Sequence, residues 1–104
     1  MDAPLSDTAA GKRRHGEYKI PGGKLVVVDL QLVDDRLHDV RLSGDFFLEP
    51  PEALDAINAA LNGVSADAGA EQIIALVQAA TDANVMMYGL NAEGIAVVLQ
   101  RALA

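Results

Sequence analysis

The sequence predicts an α+β domain: a small antiparallel sheet of two to three strands, built on a hairpin and covered on one face by about three helices. Three observations carry this. Polar and apolar residues alternate from Lys24 to about Leu48, helical spacing takes over after Pro50-Pro51, and turn residues sit between the runs. The alternation ends on Ser43-Gly44-Asp45-Phe46-Phe47, which contains both phenylalanines of a chain that has no Trp and no Cys. Neighbouring side chains of an extended chain point to opposite faces. One ring therefore packs inward and the other needs a second surface, and the sequence leaves open which is which.

Each element follows from local chemistry. Residues 1–13 carry no periodicity and read as a flexible tail, and Glu17-Tyr18-Lys19-Ile20 reads as a short first strand before the breaker Pro21-Gly22-Gly23. Val26, Val28, Leu30 and Leu32 form the buried face of the next strand, with Asp29 and Gln31 on the other. Asp34-Asp35 is a turn signal, and Val40 and Leu42 then alternate with Asp39, Arg41 and Ser43. His38 is placed on the face of Val40 and Leu42. Pro50 and Pro51 suit a first helical turn, where a missing N–H costs nothing. Leu54, Ile57 and Leu61 make one stripe, which Asn62-Gly63 stops. A second helix is expected from about Ala68 to Asn84, capped by Ser65 or Asp67, with Ile73, Ile74, Val77 and Ala80 inward. Met86-Met87-Tyr88 read as core filler at a helix junction. A third helix begins after Asn91, a candidate N-cap, and turns Ile95, Val98, Leu99 and Ala102 inward.

Composition excludes several function classes. At 104 residues the chain is one domain, able to bury about 65% of its unfolded surface. Without cysteine there are no disulfides, thiolate metal sites or iron–sulfur ligands, and two histidines do not make a metal centre. The acidic start does not resemble a signal peptide, and no apolar run spans a bilayer, so a cytoplasmic protein that avoids membranes is expected. Residues 1–24 hold five of the eight basic residues against three acids, and residues 25–104 hold three basic residues against twelve acids. Such an acidic body disfavours nucleic acid. Lys12-Arg13-Arg14-His15 reads as a solvated arm.

The candidate chemistry is sparse. Gly22-Gly23-Lys24 lacks the order of a phosphate-binding P-loop and reads either as turn glycines or as a basic loop near a ligand. Asp34, Asp35 and Asp39 lack calcium-loop spacing and read as turn residues. Asp45, set between a glycine and two rings, either caps backbone or meets a partner or ligand. No nucleophile, base and oxyanion hole come together, so on the residues alone this is an accessory or binding domain rather than an independent enzyme.

The run Gly16-Glu17-Tyr18-Lys19-Ile20-Pro21-Gly22-Gly23-Lys24-Leu25-Val26, followed by Ser43-Gly44-Asp45-Phe46-Phe47-Leu48-Glu49-Pro50, resembles the small C-terminal accessory domain of lipoate–protein ligases. The resemblance extends to Tyr88-Gly89-Leu90 and Glu93-Gly94-Ile95-Ala96, about residues 14–104 in all. It implies a fold similar to that of iron–sulfur scaffold proteins, though without their cysteines. It also implies a stand-alone accessory subunit that is not catalytic by itself. Such a subunit docks on a large catalytic subunit and enables ATP-dependent formation of lipoyl-adenylate for protein lipoylation. This chain alone would bind no cofactor; lipoate and ATP with Mg belong to the assembled complex, and lipoyl-domain acceptors are further partners. Carried onto this sequence, the resemblance places Lys19, Gly22, Gly23, Lys24, Gly44, Asp45, Phe46 and Phe47 at the partner or ligand interface. Lys19 and Lys24 would lie nearest phosphate, and one of the two rings would anchor the contact. The alternative is an interaction module of the same fold that serves another partner.

Overall fold

Three strands form an antiparallel meander in the computed structural model, which describes residues 11–104. They are β1 (Lys12–Lys19), β2 (Leu25–Val33) and β3 (Arg36–Gly44), in the spatial order β1-β2-β3. A short β4 (Phe47–Glu49) follows, then α1 (Ala53–Leu61), α2 (Ala70–Ala80), a short β5 (Met86–Tyr88) and α3 (Ala92–Leu103). β4 and β5 pair antiparallel with each other as a separate two-stranded ribbon.

The β2–β3 hairpin follows the alternation. Asp34 and Asp35 take φ of 54° and 62° between the paired Val33 and Arg36, the left-handed backbone that a two-residue hairpin loop demands and that aspartate tolerates. Val26, Val28, Leu30, Leu37, Val40 and Leu42 are buried under the helices. A bulge corrects one expectation. Asp39 has φ 53°, and the register shifts between Asp29 and Gln31. This extra residue lets Leu37 and Val40 both point inward although they are three apart, and it turns His38 outward, opposite Gln31.

β1 is longer than expected. Lys12 and Arg13, placed in the tail by sequence, pair with Leu32 and Gln31, so the basic segment is strand; residues 1–10 of that tail lie outside the described residues. Periodicity hid the start of this strand because Lys12, Arg14 and Gly16, the positions in phase with the core-packed Tyr18, are not apolar. At Gly16 an added Cβ would lie 2.6 Å from the Val98 carbonyl, so α3 crosses β1 directly over that glycine. Arg101 at the end of α3 lies 4.8 Å from the centre of the Tyr18 ring and donates to the Glu17 carbonyl.

α1 and α3 lie against the sheet, and α2 packs on both of them. Ile57, Leu61, Ile73, Val77, Ile95, Val98 and Leu99 close the core, and no charged or polar residue is buried among the described residues. α1 also seals the edge of β3. The Val40 N–H donates to Asn62 Oδ1 at 3.0 Å and the Leu42 N–H to Asn58 Oδ1 at 3.1 Å. α2 begins later than expected, with Gly69 at its N-cap, and ends at Ala80 with Thr81 as its C-cap. Ser65 instead accepts from the Asp67 N–H within the preceding turn.

Asn91 caps α3 as expected, its side chain accepting from the Gly94 N–H at 2.6 Å. Asn91→Ala removes that acceptor and is expected to cost about 1 kcal/mol in urea unfolding, with no change in m-value.

Candidate functional site

The interface residues expected from the sequence gather at one end of the molecule, where backbone hydrogen bonds tie three separate segments together. The turn after β1 closes through Gly23 N–H to the Ile20 carbonyl at 2.8 Å and Ile20 N–H to the Lys24 carbonyl at 3.1 Å. Lys24 N–H then donates to the Gly89 carbonyl at 3.0 Å, joining this turn to the end of β5. Gly89 has φ +80°, and a Cβ there would lie 2.4 Å from Lys24 Cγ, so the lysine stem runs across a surface that a side chain would block. At the end of β3, the Asp45 N–H donates to the Leu25 carbonyl at 3.2 Å. Gly44 (φ +145°) lies against that same carbonyl: the close approach its missing side chain permits is between two strands of this chain.

The two lysines differ. Lys19 Nζ donates to the Gly23 carbonyl at 2.8 Å and to the Ile20 carbonyl at 3.3 Å, clamping the glycine turn. The Lys24 ammonium enters no hydrogen bond or ion pair among the described residues. The Asp45 side chain is exposed, and it likewise has no partner among those interactions.

Phe46 is the inward ring. It is 9% exposed and joins the core, whereas Phe47 is 56% exposed. Phe47 stacks on Tyr88 with ring centroids 4.6 Å apart and planes inclined by 16°. This corrects the reading of Met86-Met87-Tyr88 as core filler. In β5 only Met87 packs inward, beside Leu48, while Met86 (52% exposed) and Tyr88 (39%) face outward. A two-residue period over a three-residue strand is too short to detect in sequence. Beside Phe47 an apolar hollow of about 320 Å³ is lined by Phe46, Phe47, Leu48, Glu49, Pro51 and Leu54.

Chemically, this end offers aromatic and aliphatic contact area, with an ammonium (Lys24) and a carboxylate (Asp45) that have no partner among the described residues. Among the described residues, no group of three or more His, Asp or Glu side chains is arranged to hold a metal. No described helix is long and apolar enough to cross a membrane.

On the face of the sheet away from the helices, His15 bridges two carboxylates, Nδ1 to Asp29 at 2.7 Å and Nε2 to Glu17 at 2.8 Å. The hydrogen bond to Asp29, and next that to Glu17, raise its pKa above 6.5. Because the folded value is the higher one, the stabilisation is fully present below the unfolded pKa and fades as pH rises through the folded one. His15→Gln is therefore expected to lower the melting temperature near pH 6 and to leave it unchanged at pH 9. A deficit that grows with pH would contradict this.

No protein-family model and no curated protein matches the chain. Among solved structures it matches a chain from an archaeal lipoylation system of Thermoplasma acidophilum, a structure of a bipartite lipoate protein ligase and its E2 lipoyl domain. The TM-score is 0.63 at 25% identity, over 85% of this chain and 92% of the other, so the two chains share one fold over most of their lengths. In fold and in sequence, this chain is similar to a component of a bipartite lipoate protein ligase system.

Proposed function

We propose that this chain is the small, non-catalytic subunit of a bipartite lipoate–protein ligase. The observation that carries the reading is the likeness, over 85% of this chain, to a chain of the archaeal system. The subunit docks on the large catalytic subunit in the cytoplasm and closes over the site that binds lipoate and ATP with Mg. Closure excludes water and orients the lipoate carboxylate toward the α-phosphate, favouring lipoyl-adenylate without this chain supplying a reacting group. Lys24, whose ammonium has no partner among the described residues, lies nearest phosphate, and Lys19 holds the Gly22-Gly23 turn that presents it. The scaffold-like fold inferred from sequence would serve here as a docking body, with no cluster chemistry.

Lipoylation of an acceptor lipoyl domain tests the reading. The large subunit, ATP, Mg and lipoate or octanoate are combined with and without this chain. Acceptor modification is expected to rise at least tenfold when the chain is present. Equal modification in both reactions rejects the reading and leaves an interaction module serving another partner.

A further inference from the structure

We propose that the outer face of the β4–β5 ribbon is the surface that seats the catalytic subunit, through an aromatic anchor bordered by acids. The inference rests on the functional reading above and names the contact surface and the chemistry of the surface it meets. Phe47, Tyr88 and Met86 are the exposed large hydrophobic residues among those described, and all three belong to this ribbon. The register sets them on one face, Phe47 opposite Tyr88 and Met86 opposite Glu49, while Leu48 and Met87 fill the inner face. Folding does not need them there, because Phe46 and Leu48 already supply the buried contacts of this segment. A two-stranded ribbon is also marginal by itself, and a third body covering its outer face would stabilise it. The apolar hollow of about 320 Å³ extends the contact area from Phe47 onto Pro51 and Leu54.

Charge selects the occupant. Along the chain no basic residue and no histidine occurs between Arg41 and Arg101, and Asp45, Glu49, Glu52 and Asp55 lie along the segment that borders the hollow; Lys24, packed against Gly89, is a cation beside the Tyr88 end of the ribbon. The fitting partner surface is apolar at its centre, to take the stacked Phe47 and Tyr88 rings, and rimmed by Lys and Arg side chains on the acidic side. Phosphate-rich surfaces are repelled by the acids on the hollow's side of the ribbon. A second copy of this chain is disfavoured too, because a two-fold contact would set acidic rim against acidic rim. Buried aromatic anchors commonly dominate such interfaces, and exposed tyrosine is a frequent one.

The test is the dissociation constant between this chain and the large subunit, measured by calorimetry. Phe47→Ser and Tyr88→Ser are each expected to weaken binding at least tenfold. Both side chains are exposed, so thermal unfolding is expected to stay within a few degrees of wild type. The charge-reversed double variant Glu49→Lys/Glu52→Lys is expected to weaken binding and to flatten its salt dependence, while His38→Ala, exposed on β3 outside the ribbon, leaves binding unchanged. If wild type binds and stimulates the large subunit but the ring variants bind equally well, the ribbon assignment is overturned and the functional reading stands. If wild type neither binds nor stimulates, both fall together. Wild type that forms a homodimer in sedimentation equilibrium, abolished by Phe47→Ser, also overturns the assignment.

Discussion

Gly44→Ala is expected to destabilise the domain by about 3–5 kcal/mol, a large share of the roughly 5–15 kcal/mol that holds a domain of this size together. The cause is local and backbone-to-backbone. A Cβ at residue 44 would lie 2.1 Å from the Leu25 carbonyl oxygen, and φ is +145°, where side-chain-bearing residues rarely sit. Relief requires β2 and β3 to part at their ends, next to the Asp45 N–H bond to the same carbonyl. Phe46 Cδ2 lies only 3.2 Å from the same added atom, so the ring cannot yield without leaving the core. Urea unfolding measures the loss. If Gly44→Ala melts within about 0.5 kcal/mol of wild type, the strand junction is not packed as described. Because Phe46 and Phe47 follow directly, the variant is also expected to disturb the Phe47–Tyr88 stack, visible as a change in near-ultraviolet circular dichroism.

The double variant Asn58→Ala/Asn62→Ala is expected to cost about 2–4 kcal/mol, at about 1–2 for each half-buried amide left without its acceptor. Alanine favours helix, so at Asn58 the helix itself gains slightly, whereas Asn62 lies beyond its last turn, and the net loss reports mainly the contact with the strand. These side chains, Asn58 on α1 and Asn62 at its C-cap, replace the neighbouring strand that β3 lacks, accepting from Leu42 and Val40. Without them the outer edge of β3 exposes unpaired N–H groups, which invite pairing with other chains. Concentration-dependent association should accompany the loss of stability, with light scattering as the readout. A stable, monomeric double variant would show that water replaces both acceptors at no cost.

Where sequence and structure agree, a residue had a single local reading. Asp34-Asp35 between alternating runs fits one kind of tight hairpin, and Asn91 three residues before Gly94 is a cap. Where they differ, the cause was a contact distant in sequence or a segment too short to show a period. The Asp39 bulge reverses His38, although the three-residue spacing of Leu37 and Val40 around it carried the signal. β1 could not be read at its start because Gly16 serves the passage of α3 rather than filling space itself. The open question of the two rings was answerable in principle. Val40, Leu42, Phe46 and Leu48 share one parity and all face inward, which leaves Phe47 out of phase and outside. Tyr88, its stacking partner 4.6 Å away, was not legible, since only the pairing of β4 with β5 brings them together. The candidate site was therefore half visible: its residues along the chain were named, but their assembly around Gly89 and Tyr88 required the fold.

The most direct measurement is the first half-reaction without an acceptor. The large subunit is incubated with ATP, Mg and lipoate, and lipoyl-adenylate and pyrophosphate are quantified with and without this chain. The account predicts that adenylate accumulates only when the chain is present, in proportion to the complex formed. Adenylate formed at the same rate by the large subunit alone would contradict it.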